Sequence, residues 1–254
     1  MPLCDVAAPF TSVQPVAELN TTFLDGGGRF TSNELTAVFH SGRLGGTATR
    51  FFIATRPSRQ VAFSPPTLLF SEGTGPTWPN LTEDGLTLVY NENTDVYVST
   101  RLSTSDPFPA GTLLTGVSSA AMGESSVFLP ASAKTLYFTR YDPEGAVYDA
   151  PWPQADSIDY LKPPIETGAE EATPALTPDE LVIYFRRNTG TGADIWVATR
   201  ADRANDFDPP TLVAELQTAG AESPTWISPD RCRLYFESDR SGNYDVWVAE
   251  RTPP

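Results

Sequence analysis

A sequence block that recurs five times is the feature that most constrains how this chain can fold. The clearest copies run from Glu222 to Val248 and from Glu171 to Val197. The period is 47 to 51 residues when the copies are aligned on the aromatic residue that ends the second apolar run, which is Phe39, Tyr90, Phe138, Phe185 or Phe236. This period is close to that of a four-stranded propeller blade.

Each copy consists of short runs rich in β-branched and aromatic residues, separated by proline and glycine, which is typical of strands and turns. A fourth run contains prolines, as at residues 207–216, which an outermost strand tolerates. The last copy lacks this run, but residues 10–19 match residues 207–216 in register. We therefore expect the N-terminal segment to pair with the last blade and close the ring, which hides the sheet edges.

The repeat predicts an all-β fold, a five-bladed propeller of four-stranded antiparallel blades. We expect one domain over residues 1–254. Its blades are predicted at about 21–70, 71–117, 118–166, 167–216 and 217–254, the last one completed by strand 10–19.

Two segments of the repeat carry a family resemblance. Ser228-Pro229-Asp230 and the run Ser238-Asp239-Arg240-Ser241-Gly242 resemble the WD40-like repeats of the TolB propeller family, often called PD40 repeats. Blades four and five match this pattern well, whereas the corresponding turn in blade three, residues 130–134, departs most. The resemblance implies a binding protein that contacts other proteins through one propeller face, but such folds host many roles.

The charge balance narrows the range of partners. The chain has 17 Lys plus Arg against 32 Asp plus Glu, a formal net charge of −15. Nucleic acid and anionic membrane surfaces are therefore disfavoured, while cations and basic protein patches are not. No apolar run approaches the roughly 18 residues that span a bilayer. We expect a monomer without a membrane span.

The two cysteines are placed close together by the predicted register. Cys232 lies in the first turn of blade five, and Cys4 lies just before the strand that completes this blade. The sequence thus predicts a disulfide that locks the ring. An alternative is that Cys4 carries the lipid of an envelope lipoprotein. Both readings favour a periplasmic, cell-envelope or secreted protein.

Four acidic residues occupy equivalent positions, 14 residues before the aligned aromatic: Asp25, Glu124, Glu171 and Glu222. Each opens an innermost strand, so we expect them to surround one mouth of the central channel. They are candidate ligands for a small molecule or for a hard cation such as calcium. The structural alternative is that each accepts hydrogen bonds within the propeller. No other cofactor is indicated.

The remaining candidate ligand-binding residues lie in the hairpins between second and third strands, which vary most among blades. They are His40, Arg43, Arg140 and Arg187. Because His40 is the single histidine of the chain, metal sites built from several histidines are excluded. We expect His40 to lie in a partly exposed hairpin.

These features favour a non-catalytic binding or scaffold propeller of the cell envelope that contacts a protein, a peptide or a small ligand at the channel mouth. Two alternatives stay open. One is a lectin-like or metal-binding propeller that recognises carbohydrate or a cation. The other is an enzyme resembling glycoside hydrolases, in which two of the four acids would flank the substrate. No catalytic residue is assigned.

Overall fold

The computed structural model describes residues 3–45, 48–142, 144–162, 164–190 and 192–252. Its strands form five four-stranded antiparallel sheets, and these sheets are the blades of a five-bladed propeller. The predicted fold class is confirmed. Within the described ranges, no helix has the length and hydropathy needed to cross a membrane.

Blades one to four each follow the chain from the inner strand to the outer strand. Blade one contains β2 (Asp25–Phe30), β3 (Thr36–Ser41), β4 (Arg50–Thr55) and β5 (Thr67–Phe70). Blade two contains β6 (Thr77–Leu81), β7 (Thr87–Glu92), β8 (Asp95–Thr100) and β9 (Thr112–Leu113). Blade three contains β10 (Gly123–Phe128), β11 (Thr135–Tyr141), β12 (Gly145–Pro151) and β13 (Asp159–Tyr160). Blade four contains β14 (Glu170–Leu176), β15 (Val182–Asn188), β16 (Ala193–Thr199) and β17 (Thr211–Leu212), and a short 3-10 turn follows at Ala214–Leu216.

Blade five is assembled from both ends of the chain. It contains β18 (Glu222–Ile227), β19 (Arg233–Ser238) and β20 (Asp245–Glu250), and its outer strand is β1 (Ser12–Pro15), which pairs with β20. The predicted closure of the ring is therefore confirmed. The predicted disulfide is confirmed as well, since Cys4 and Cys232 are bonded with their Cα atoms 5.2 Å apart.

The second strands form the core between neighbouring blades. Their aligned aromatics are at most 1% exposed: Phe39, Tyr90, Phe138, Phe185 and Phe236. Burial of such aromatic side chains contributes most of the favourable free energy of a β-core. The repeat is thus a packing unit, because each blade covers an apolar face of its neighbour.

The antiparallel order gives the propeller two distinct faces. The hairpins between second and third strands and the links between blades lie on one face, which we call the hairpin face. The turns after the first and third strands lie on the opposite face, the turn face, where the disulfide is found. Residues Glu34 and Glu180 occupy the left-handed position of the first turn with φ of 61° and 60°, where blade two has Gly85.

Candidate functional site

The four aligned carboxylates are fully buried at the hairpin face, and each is paired with an arginine of its own blade. The nitrogen–oxygen distances range from 2.7 Å to 3.3 Å. The pairs are Asp25–Arg43, Glu124–Arg140, Glu171–Arg187 and Glu222–Arg240. Blade two has Pro76 at the acidic position and lacks the pair.

Each of these arginines also reaches the preceding blade. Arg140 donates to the carbonyl of Val117, and Arg187 donates to the carbonyl of Ile165 at 2.8 Å. The guanidinium groups also lie over aromatic rings of their own blade, as Arg187 does over Trp196 at 4.7 Å. An ion pair with such extra hydrogen bonds stabilises a fixed geometry. The pairs therefore latch consecutive blades together.

This use of the carboxylates differs from the shared cation site that the sequence suggested. Within the described residues, no three histidine, cysteine or acidic side chains come together as metal ligands would. Burial raises the pKa of Glu124, although Arg140 and the N–H group of Ser119 lower it. Ligand or calcium binding at Asp25, Glu124, Glu171 and Glu222 stays a prediction, as does binding through Arg43, Arg140 and Arg187.

A second set of equivalent residues lies on the second strands, at the position directly after each aligned aromatic. In four blades this side chain accepts a hydrogen bond from the inner strand of the next blade. The pairs are His40 with the Trp78 N–H (3.3 Å), Asn91 with Val127 (2.8 Å), Thr139 with Thr173 (3.1 Å) and Glu237 with Gly27 (2.9 Å). The inner strands carry a register shift here, so the displaced N–H groups need these partners.

The expectation of a partly exposed His40 was wrong, because the residue belongs to β3 and is only 5% exposed. Its ring and the Glu237 carboxylate both approach Gly26, where a Cβ atom would lie 3.0 Å from Nε2 and 2.4 Å from Oε2. A side chain at this position would therefore require the Glu237 carboxylate to shift and the His40 ring to give way. Because Gly26 has no Cβ, His40 of its own blade and Glu237 of blade five can both pack against its backbone.

The channel environment shifts the pKa values of both groups. Burial and, to a smaller extent, the charge of Arg29 together lower the pKa of His40 to about 3. Burial raises the pKa of Glu237 to about 7, although the Gly27 N–H and Arg29 oppose that shift. At neutral pH the imidazole is thus uncharged, and the carboxylate lies near its midpoint of titration.

Arg29 is the functional candidate that the sequence reasoning missed. It lies on β2, is 4% exposed, and has no carboxylate partner within ion-pair distance among the described residues. The other blades have Asn80, Phe128, Ala175 and Trp226 at this register position. When the five blades are aligned, Arg29 is the one charged residue at this position, and this difference could have identified it from the sequence.

The hairpin face carries an exposed apolar cluster beside blade one. Phe23, Leu24 and Leu44 are 44%, 40% and 66% exposed. The Leu24 carbonyl accepts the Gly42 N–H at 2.9 Å, and the Phe23 carbonyl accepts the Asn243 side-chain amide at 2.6 Å. These bonds fix the backbone at Phe23 and Leu24, whose side chains are exposed. We call these three residues the apolar cluster.

No protein-family model and no curated protein matches this chain. Solved structures do resemble it. A putative TolB from Agrobacterium tumefaciens has a TM-score of 0.57 at 12% identity, covering 89% of this chain and 76% of that one. An endo-1,4-beta-xylanase from Bacteroides thetaiotaomicron has a TM-score of 0.57 at 14% identity, with coverage of 94% and 92%. A thermostable family-43 glycoside hydrolase has a TM-score of 0.59 at 11% identity, covering 96% and 91%.

At these identities the likeness shows the propeller fold alone. It includes TolB, in agreement with the fold that the repeat predicted, but also enzymes that act on glycans. Membership of the PD40 repeat family stays a prediction. The class of protein defined here is a five-bladed β-propeller with a disulfide-locked ring.

Proposed function

We propose that this protein is a non-catalytic binding propeller of the cell envelope that holds a protein partner through its hairpin face. The apolar cluster carries this proposal. Three large apolar side chains exposed together on one face are typical of a site that another protein covers. The disulfide supports a location outside the reducing cytosol.

The charges of the same face suggest the chemistry of the partner. Glu72, Asp142 and Glu144 are exposed in the links and hairpins of blades one to three. The four latch arginines are already paired with carboxylates, so they leave little positive charge on this face. The complementary partner is a polypeptide with a basic surface and an apolar anchor.

An enzyme similar to glycoside hydrolases receives less support from this geometry. Such enzymes need two carboxyl groups that face the substrate. Glu124 and Glu171, two of the carboxylates considered for that role, have no exposed surface and bind arginines of their own blades. A lectin-like or metal-binding role has no specific observation in its favour.

The proposal is tested by comparing two leucines of opposite faces. Leu44 belongs to the apolar cluster, whereas Leu102 is 97% exposed after β8, on the turn face. Immobilised wild-type protein and the variants Leu44→Asp and Leu102→Asp are incubated with envelope extract, and the retained proteins are quantified. We expect a protein that Leu102→Asp retains and Leu44→Asp loses, with less retention at high salt. Equal retention by both variants, or none by the wild type, contradicts the proposal.

A further inference from the structure

The buried guanidinium of Arg29 has no counter-charge at contact distance and is incompletely bonded. Its Nε donates to Asn80 Oδ1 at 3.2 Å, and its Nη2 donates to the Val127 carbonyl at 3.1 Å. Its Nη1 has no hydrogen-bond partner among the residues that the structure describes. Burial lowers the pKa of Arg29 to about 9, so the group is still charged at neutral pH. The guanidinium lies over the rings of Phe128 at 4.8 Å and Trp78 at 5.6 Å, and the charge of Glu237 opposes the lowering of its pKa by burial. A buried charge with an unbonded N–H donor is still costly, so we look for an anionic partner at this nitrogen.

Arg29 is also a wall of a cavity at the turn face. The cavity has a volume of about 40 Å³ and opens between the first turns of blades two and three. Since one water needs roughly 10–15 Å³ of such space, there is room for about three non-hydrogen atoms. Of the described lining residues, Glu83 alone carries a carboxylate, which accepts hydrogen bonds from the N–H and the hydroxyl of Ser32.

The walls of the cavity select the type of anion. Besides Arg29 and Asn80, the inner part is lined by Phe30, Leu81, Leu129 and Trp226. These apolar surfaces disfavour a strongly hydrated dianion such as phosphate, which one guanidinium cannot neutralise. A carboxylate matches the single charge, the planar donor geometry of an arginine and an apolar attachment.

We propose that this cavity binds a carboxylate group through Arg29. The group comes either from a free short-chain carboxylic acid or from the C-terminus of a peptide, and both present the same head group. This site lies on the face opposite the apolar cluster, so it is independent of the protein-binding surface proposed above.

The first measurement uses the wild-type protein with sodium acetate, N-acetylglycine and N-acetylglycinamide at fixed ionic strength, with sodium chloride as the reference. Tryptophan fluorescence is the readout, because Trp226 lines the cavity. Saturable binding of acetate alone identifies a free acid, and binding of N-acetylglycine but not its amide identifies a peptide terminus. A response no stronger than that to chloride, or one that does not saturate, overturns the proposal.

Variants assign the binding to this cavity. Arg29→Met is expected to weaken carboxylate binding at least about tenfold, since the charged donor is lost. Ala131→Trp fills the cavity from an exposed lining position, keeps Arg29 and should abolish binding, which preserves the test if Arg29→Met does not fold. Arg203→Met, at a side chain 47% exposed on the turn face, is the control and should bind as the wild type does. Unchanged binding in Ala131→Trp contradicts the assignment.

Discussion

The same kind of tyrosine–glutamate hydrogen bond occurs at two junctions on the turn face, the one between blades five and one and the one between blades three and four. In each, a glutamate of a first turn accepts a hydrogen bond from a tyrosine of the preceding blade. Tyr235 donates to Glu34 at 3.0 Å, and Tyr137 donates to Glu180 at 2.8 Å. Both glutamates need the left-handed backbone that glycine adopts most easily, so a side-chain function outweighs local strain there.

The two junctions differ in how many further bonds surround that glutamate. Glu34 also accepts from Arg233 at 2.7 Å and 2.6 Å and pairs with Arg59 at 3.3 Å. Among the described residues, the carboxylate of Glu180 is otherwise joined by Ser132 at 3.0 Å and by Arg203, whose side chain is half exposed. The disulfide reinforces the blade to which Arg233 belongs.

The more heavily bonded junction adjoins the blade that is built from two distant segments. The outer strand of blade five, β1, pairs with β20 although the two are far apart in sequence. Blades three and four are consecutive in sequence and need less reinforcement. Equivalent junctions of the ring thus carry unequal numbers of cross-links, with more of them where the ring closes.

Removal of the disulfide should have the largest effect. Replacing Cys4 and Cys232 by serine opens a link across 228 residues of sequence and is expected to lower the free energy of unfolding by roughly 3–5 kcal/mol. Urea unfolding of the oxidised wild type and the double variant measures this. Reductant should destabilise the wild type alone, and an equal response of the double variant contradicts the account.

Glu34 and Glu180 should differ in their contribution to the free energy of unfolding. We expect Glu34→Gln to cost about 3 kcal/mol, because Arg233 loses one of its two carboxylate partners in a largely buried setting and keeps only Asp230. Glu180→Gln should cost about 1–2 kcal/mol, because the arginine paired with it is half exposed. Urea unfolding of both variants gives the comparison. Equal losses would mean that the closure is not energetically special.

The pH dependence of stability tests the channel residues at the closure. The pKa of Glu237 is raised to about 7 on folding, so its contribution to stability falls as pH rises from about 4.5 to 7. The pKa of His40 is lowered to about 3, so its contribution rises between about pH 3 and 6.5. The two trends oppose each other over about pH 4.5–6.5.

Replacing either residue should therefore reveal the pH dependence of stability that the other contributes. Over that window and relative to the wild type, Glu237→Gln should become more stable as pH rises and His40→Gln less stable, each by about 1–3 kcal/mol. Unfolding in denaturant at several pH values measures the slopes. Parallel slopes in the two variants would contradict the opposed titration.

The smallest effect is expected at the junction of blades three and four. Asp149 faces Asp159 across two paired strands, and burial together with Asp159 raises its pKa to about 6. Asp149→Asn should raise the free energy of unfolding at pH 7 by about 0.5–1 kcal/mol, because like charges in opposite positions destabilise a sheet. The gain should vanish below about pH 4, where the Asp149 carboxyl is protonated in the folded protein. A loss of stability at pH 7 would show that the carboxylate has a favourable partner.

Much of the architecture could be predicted from the sequence, because equivalent residues of each repeat pack in equivalent ways. The period and the aligned aromatics led to five blades, and the match of residues 10–19 to residues 207–216 led to the closure. Cys4 and Cys232 could be paired because the register places both at the turn face of blade five. These are consequences of strand alternation and chain order, which local sequence encodes.

Only the tertiary structure decided what the polar residues do. Equivalent acids were visible in the sequence, but the arginine that binds each one and the preceding blade's carbonyl became apparent only in three dimensions. The burial of His40 and the unpaired nitrogen of Arg29 also depend on neighbours from distant segments. Hydrophobic burial follows periodicity, whereas the state of a charge depends on every group within a few ångströms, and those groups come from all over the chain.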